Sequence, residues 1–399
     1  MNEHGGQAHQ MSIPAPLAAL APSLTAIRRD LHRHPELAFA ETRTADIVAR
    51  ELAACGIEVA RGLARTGVVG TLRTGASRRS IGLRADMDCL PLAELNEFTH
   101  RSDNQGRMHA CGHDGHTAML LGAARHLAAT RRFDGTVHFI FQPAEEMAGG
   151  GKVMIEEGLF RRFPVDAVYG MHNLPGLAAG RFAMRVGPIM AAIDEFDILI
   201  RGEGGHAAFP HRAVDPVLVQ AHVVTALQSI VSRQVDPLDS AVLSVTQVHG
   251  GDAYNVIPES VVLRGTLRSF RTDVRDRAEQ SLRHIAAQVS AAFGASVEIR
   301  YTQLYPATVN TSAETSRAAS AATRVVGEGN VATDTQPLMA SEDFAYMLQA
   351  RPGAYIFIGN GAGEGSCMLH NPRYDFNDEI LTLGAAYWTS LVEQELSVG

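Results

Sequence analysis

Met108-His-Ala-Cys-Gly-His-Asp-Gly-His116 sets a thiol, three imidazoles and a carboxylate within nine residues. All three group types are ligands for divalent metals. The residues after this stretch decide the fold. From His116 to Ala129 the apolar residues recur at helical spacing, so the motif runs into a helix N-terminus. Val137-His-Phe-Ile-Phe141 then reads as a buried strand, with Gln142-Pro-Ala-Glu-Glu146 just past its end. Ala167-Val-Tyr-Gly-Met171 is a further strand, with His172 just past it. Reactive side chains at the carboxyl ends of strands that alternate with helices are the arrangement of an α/β sheet. The spacing therefore predicts an α/β fold that holds a metal site with a general base beside it.

Working outward, Leu24, Ile27 and Leu31 predict an amphipathic helix over Ala21 to Arg33, stopped at His34-Pro35. A second helix is expected from about Glu41 to Ala54, closed by Gly56. Near Gly187 the texture changes. Glu195-Phe-Asp-Ile-Leu-Ile-Arg201 alternates like a strand, and a helix follows from about Asp215 to Arg233. Strands at Ala241 to Val248 and Val261 to Arg268, a helix at Asp273 to Phe293 and a strand at Ser296 to Tyr301 complete a β-α-β-β-α-β order. That order predicts a small α+β, ferredoxin-like insert. Gly353-Ala-Tyr-Ile-Phe-Ile358 restores the α/β texture. The expected organisation is one domain in two pieces, residues 15–187 and 304–399, interrupted by an insert over 188–303. Residues 1–14 are expected to be a disordered extension, with Met11 as an alternative start.

A chain of 399 residues exceeds what one core normally holds, in keeping with two domains. A net charge of -8 leaves no basic footprint, which argues against a nucleic-acid partner. No apolar run is long enough to span a membrane, and the N-terminus lacks the pattern of a secretory signal. Four scattered cysteines do not read as a disulfide framework, so reduced thiols in a cytoplasmic protein are expected.

Cys111 and His113 are one residue apart, and in an extended segment both would point to one face. A thiolate has lone pairs enough to bridge two metals. Of the adjacent Glu145 and Glu146, one can bind metal while the other faces a reacting water. His172 and His370 stand at turn-like positions that can hold a ligand rigidly. Asp86 and Asp88 are either ligands or outer carboxylates that orient a histidine, and Asp88 is assigned the orienting role. In the insert, His206 in a glycine-rich turn can polarise a carbonyl. Asn255 can donate to a substrate oxygen, and Arg268 can clamp a carboxylate. A loop histidine, a turn asparagine and a surface arginine fit the same spacing. Cys and His suit zinc, while a mixed N, O, S site also accepts manganese, cobalt or nickel.

From about Pro22 onward the chain resembles the M20 family of metallopeptidases, nearest its hippurate hydrolase and N-acyl-amino-acid amidohydrolase branch, subfamily D. The likeness rests on His32-Arg-His-Pro-Glu36, Arg84-Ala-Asp-Met-Asp88, His109-Ala-Cys-Gly-His-Asp-Gly-His116 and Gln142-Pro-Ala-Glu-Glu146. Gly205-His-Ala-Ala208, Asn255-Val-Ile-Pro258, Ser341-Glu-Asp-Phe344 and Leu369-His-Asn-Pro372 extend it. The resemblance implies a zinc-peptidase-like catalytic domain with a central mixed sheet, interrupted by a lid through which the chain forms a homodimer. It implies two divalent metal ions, Mn2+ or Zn2+ with Co2+ and Ni2+ as alternatives. Cys111, His113, Glu146, His172 and His370 would be their ligands, with Cys111 bridging and Glu145 the general base. By the same likeness His206 would reach the neighbouring subunit's site, and Asn255 and Arg268 would hold the substrate's carboxylate or carbonyl.

Related branches carry a His-x-Asp ligand motif where this chain has Asp86-Met-Asp88, and a bridging Asp in place of Cys111. That departure weakens a ligand role for Asp86. Asn96-Glu-Phe-Thr-His-Arg101 also departs from the usual family wording, which puts acyl preference in question. The expected activity is hydrolysis of an N-acyl amino acid, a small-molecule substrate. The alternatives are cleavage of small peptides or aminobenzoyl-glutamate conjugates on the same site, or a non-catalytic metal-binding relative.

Overall fold

A parallel strand covered on both faces is buried along its length, and four strands here meet that demand. Ser80–Asp86, Gly135–Gln142 and Gly353–Gly361 are buried along their whole length, and Ala167–Pro175 at every position but Leu174. A computed structural model describes residues 12–362 and 367–398. In it the chain divides into two compact units.

The larger unit comprises the chain up to Ile189, Val309–Gln336 and the chain from Asp343 on. Its eight-stranded mixed sheet runs, in spatial order, Glu58–Leu63, Gly67–Thr74, Gly135–Gln142, Ser80–Asp86, Ala167–Pro175, Gly353–Gly361, Phe182–Ala183 and Val331–Ala332. The four central strands are parallel, and antiparallel pairs flank them on both sides. Helix His113–Thr130 packs against Ala21–Arg33 and Leu381–Glu395. Leu24, Met119, Leu120, Ala385 and Trp388 belong to the shared core. Since the central strands are parallel, their carboxyl ends lie together, and Asp86, Gln142 and Pro175 end them along one edge of the sheet.

The smaller unit comprises Met190–Thr308 with Pro337–Glu342. Its four strands lie in the order Ala241–His249, Ser260–Ser269, Ala192–Arg201, Ser296–Gln303, and every neighbouring pair is antiparallel. Helices Pro216–Ser229 and Thr272–Ala292 bury Val223, Leu227 and Leu282 in one cluster with Phe196, Ile198 and Ile200 of the central strand. This is the ferredoxin-like arrangement expected from the β-α-β-β-α-β order of the insert. Asp215 caps the first of these helices by accepting from the Val217 N–H at 2.9 Å.

Two element boundaries beside the candidate ligands differ from the sequence reading. The helix of the metal motif starts at His113 rather than His116, and the strand expected to stop before His172 continues to Pro175. In both places a polar ligand type interrupts the apolar pattern, while buried neighbours keep the element regular. Residues 1–11 of the expected extension lie outside the described residues, whereas the Ser12 N–H donates to the Val325 carbonyl at 2.8 Å. No helix among the described residues is long and apolar enough to cross a membrane.

Candidate metal centre

Cys111 and His113 meet through a glycine turn, not through the extended spacing expected from sequence. Gly112 has φ +92°, and a Cβ there would come within 2.4 Å of Asn173 Oδ1 and 2.9 Å of the Tyr374 hydroxyl. Only glycine fits that backbone and that space. The turn hands over directly to the helix that begins at His113.

Two imidazoles are fixed in the tautomer a metal requires. His113 Nδ1 lies 2.9 Å from the Asp88 carbonyl, and His172 Nδ1 lies 2.7 Å from the Asn173 carbonyl. A carbonyl only accepts, so each Nδ1 is the protonated donor and each Nε2 is the nitrogen left for a metal. His172 Nε2 lies 3.3 Å from Cys111 Sγ. His113 Nε2 lies 3.8 Å from Glu146 Oε1. Both of those last atoms are buried without a hydrogen-bond partner among the described residues. Glu146 is held by its own backbone, whose N–H donates to Asp88 Oδ2 at 3.0 Å. Asp88 therefore positions both His113 and Glu146. His370, at φ +64°, donates its N–H to the Ala110 carbonyl at 2.8 Å and sets Nε2 3.5 Å from Glu146 Oε2.

These atoms form two triplets, Cys111–His113–His172 and Cys111–Glu146–His370, each with its ligand atoms within 4.8 Å of one another. Cys111 is common to both. Glu145 joins His113 and Glu146 in a third group at the same spacing. His116 also lies near, with Nδ1 2.6 Å from Asp86 Oδ1 and Nε2 2.7 Å from Asn173 Oδ1. With both nitrogens engaged, His116 supports the site rather than opening toward it.

The electrostatics call for a cation. Burial, then Glu146, Glu145 and Asp86, push the Cys111 thiol well above its ordinary pKa. Burial alone would raise Asp86, but His113, Arg84 and His116 outweigh it and hold the carboxyl well below the usual range. Burial likewise opposes charge on His113, yet Asp86, Asp88 and Glu146 carry its pKa to about 10. Buried groups with this excess of negative charge are stabilised by a divalent ion, which also displaces the thiol proton. The orphaned His113 Nε2 and Glu146 Oε1 are the atoms such an ion would satisfy.

Arg84 escaped the sequence reading. Its buried guanidinium donates to Asp86 Oδ2 at 2.6 Å, Asp343 Oδ1 at 3.0 Å and Gln142 Oε1 at 2.9 Å. The signal was present, because residues 84 and 86 share one face of a strand. The Asp343 partner, 259 residues away, left none.

His206, Asn255 and Arg268 belong to the smaller unit. His206 sits exposed in a two-residue ladder in which Gly205–His206 pairs with Val256–Ile257. Its Nδ1 accepts from the Ala208 N–H at 3.0 Å, which leaves Nε2 as the donor. The Asn255 carbonyl accepts the Ala207 N–H at 3.0 Å, so these two segments are neighbours. Arg268 stands apart from them on strand Ser260–Ser269 and donates to the Met339 carbonyl at 2.7 Å.

Residues 82–394 match the profile of Peptidase family M20/M25/M40. The chain is 41% identical to a hippurate hydrolase of Campylobacter jejuni over 92% of this chain and 94% of that protein. It is 38% identical to an N-acetyl-L-cysteine deacetylase of Bacillus subtilis, over 94% of this chain and 89% of that one. Among solved structures it superposes on a Bacillus subtilis protein described as a dinuclear metal binding peptidase from the M20 family. The TM-score is 0.83 at 33% identity, covering 95% of this chain and 99% of that one.

Proposed function

The chain belongs to peptidase family M20/M25/M40 and is an amidohydrolase, and on that premise we propose that it cleaves N-acyl amino acids to a carboxylic acid and an amino acid. The observation that carries this reading is the pair of triplets sharing the buried Cys111, with Glu145 beside them. Two divalent ions would be held by Cys111, His113, His172, Glu146 and His370, whose donor types suit them. Zinc and manganese both suit the mixed sulfur, nitrogen and oxygen set. When bound, such ions act as Lewis acids on the amide carbonyl and make an attacking water easier to deprotonate.

The chain's own residues supply the rest. Glu145 takes a proton from the attacking water as oxygen adds to the amide carbon, and returns it to the nitrogen as the C–N bond breaks. Asp88 holds His113 and Glu146 in place. His206, with Nε2 as donor, is assigned to the developing oxyanion. Asn255 and Arg268 are assigned to the substrate's carboxylate or carbonyl, and the smaller unit to pairing two chains as a homodimer.

The test is amine release from a panel of N-acyl amino acids, hippurate and small peptides, before and after chelation and metal add-back. Release that stops on chelation and returns with a single metal type is expected. In the same assay Glu145→Gln should cost roughly 10²- to 10⁴-fold in kcat with metal content unchanged. His206→Ala should lower kcat without loss of metal. Cleavage confined to peptides would move the substrate assignment, and a fully active Glu145→Gln would remove the assigned base.

A further inference from the structure

Six non-glycine residues among the described ones have left-handed backbone, namely Phe39, Ala64, Arg65, Arg131, Ala144 and His370. Such conformations persist only where the surroundings over-determine them. Four of the six lie in three segments that converge on one carboxylate. Glu41 Oε1 accepts the Phe39 N–H at 3.0 Å and the Ala144 N–H at 2.9 Å. Glu41 Oε2 accepts the Thr66 hydroxyl at 2.6 Å, immediately after Ala64 and Arg65. Glu41 is fully buried. Ala144, at φ +57°, is the residue from which helix Glu145–Ala148 departs, so its backbone sets the direction of Glu145. The segment that follows is held at two further points, where the Glu146 N–H donates to Asp88 and the Gly151 N–H donates to Asp343 at 2.8 Å.

We propose that Glu41 is a positioning residue for the reaction, whose carboxyl holds Ala144 in its left-handed turn and thereby aims Glu145 at the substrate. The inference rests on Glu145 as the base. What the turn requires of Glu41 is reach and acceptor atoms rather than charge. Burial pushes this carboxyl up to about 7, against the hydrogen bonds from Thr66 and Ala144. A neutral acid with its proton on Oε2 still accepts both N–H groups at Oε1. Glutamine has the same length and the same carbonyl acceptor. Its amide can donate to the Thr66 oxygen once the hydroxyl turns. Aspartate keeps the charge but is one methylene too short to reach Ala144.

The test is Glu41→Gln against Glu41→Asp in the metal-loaded enzyme. Glu41→Gln is expected to keep kcat within about threefold, and Glu41→Asp to lose on the order of 10- to 100-fold in kcat, as a displaced reacting group does. KM and metal content should be unchanged in both. A second readout needs no activity. Amide hydrogen exchange over residues 142–151 of the metal-free protein should quicken in Glu41→Asp and stay slow in Glu41→Gln. Loss of kcat in Glu41→Gln alone would make the charge the requirement and overturn the proposal, as would equal loss in both variants or wild-type kcat in Glu41→Asp. Loss of metal from Glu41→Asp would assign Glu41 to the ligand Glu146 instead and also overturn it. A wild-type protein inactive on every amide, with the exchange pattern as expected, would sink the functional reading while leaving the clamp on Ala144 intact.

Discussion

Glu41 is also where one side chain should leave a pH signature on the stability of the protein. Its carboxyl is carried up to about 7 by burial, with Asp88 adding to the effect, while glutamates of the unfolded chain ionise near 4.5. The folded state therefore holds this proton more tightly than the unfolded state. Between those two values the folded state binds more protons, so stability falls as pH rises, and above about 7 the full cost is present. That cost is the free energy of keeping an ionised carboxylate buried, about 1–3 kcal/mol. Glu41→Gln removes the ionisation and keeps the acceptors. Its thermal midpoint is expected to exceed that of the wild type at pH 8, with the gap closing toward pH 4.5. A gap of the same size at both ends would mean that Glu41 does not titrate in this range.

The glycine turn at the head of helix His113–Thr130 does for an element what Glu41 does for a side chain. Gly112 and Gly106 both have left-handed backbone, but a Cβ at Gly106 meets nothing within 4 Å while one at Gly112 meets Asn173 and Tyr374. Alanine at either position carries the backbone cost of roughly 1 kcal/mol. Only Gly112→Ala should also displace Cys111 and lower metal occupancy, whereas Gly106→Ala should bind metal like the wild type. Equal metal binding by both would show that the clash relaxes without moving the thiol. The sequence carried a good deal at this scale. The β-α-β-β-α-β order of residues 195–301 led to the ferredoxin-like unit, and apolar runs at 137–141 and 167–171 led to the buried parallel strands. The ligand types themselves were legible because Cys, His and Glu cluster in short motifs. What was not legible depends on partners distant in the chain. Glu41 meets Ala144 across 103 residues, and Arg84 meets Asp343 across 259. No local pattern records such contacts, since a buried carboxylate and a helix-starting glutamate look alike until the chain has folded. The route by which Cys111 and His113 converge was missed for the opposite reason. The local rule used was that of a strand, and the glycine between them had already broken it.

For the molecule as a whole, division into two units implies that the metals stabilise it unevenly. Cys111, His113, Glu145, Glu146, His172 and His370 all belong to the larger unit. Without a cation its buried thiol and carboxylates face one another, and burial already drives the Cys111 thiol upward among them. A ligand that binds the folded state alone stabilises it by RT ln(1 + [L]/Kd), about 4 kcal/mol at a thousandfold excess over Kd. Removing it should act on the segments that carry the donor atoms before it acts anywhere else. The smaller unit has its own core, built from Phe196, Ile198, Ile200, Leu227 and Leu282, and a buried Arg275–Asp194 ion pair. Neither depends on the metal ligands. On chelation the thermal midpoint should fall, and amide exchange should quicken over residues 108–116, 143–151 and 367–372. Exchange in strands Ala192–Arg201 and Ser260–Ser269 should not change. If those strands exchange faster to the same extent, the two units unfold as one cooperative body, and the metals then stabilise the ferredoxin-like unit as much as the domain that would bind them.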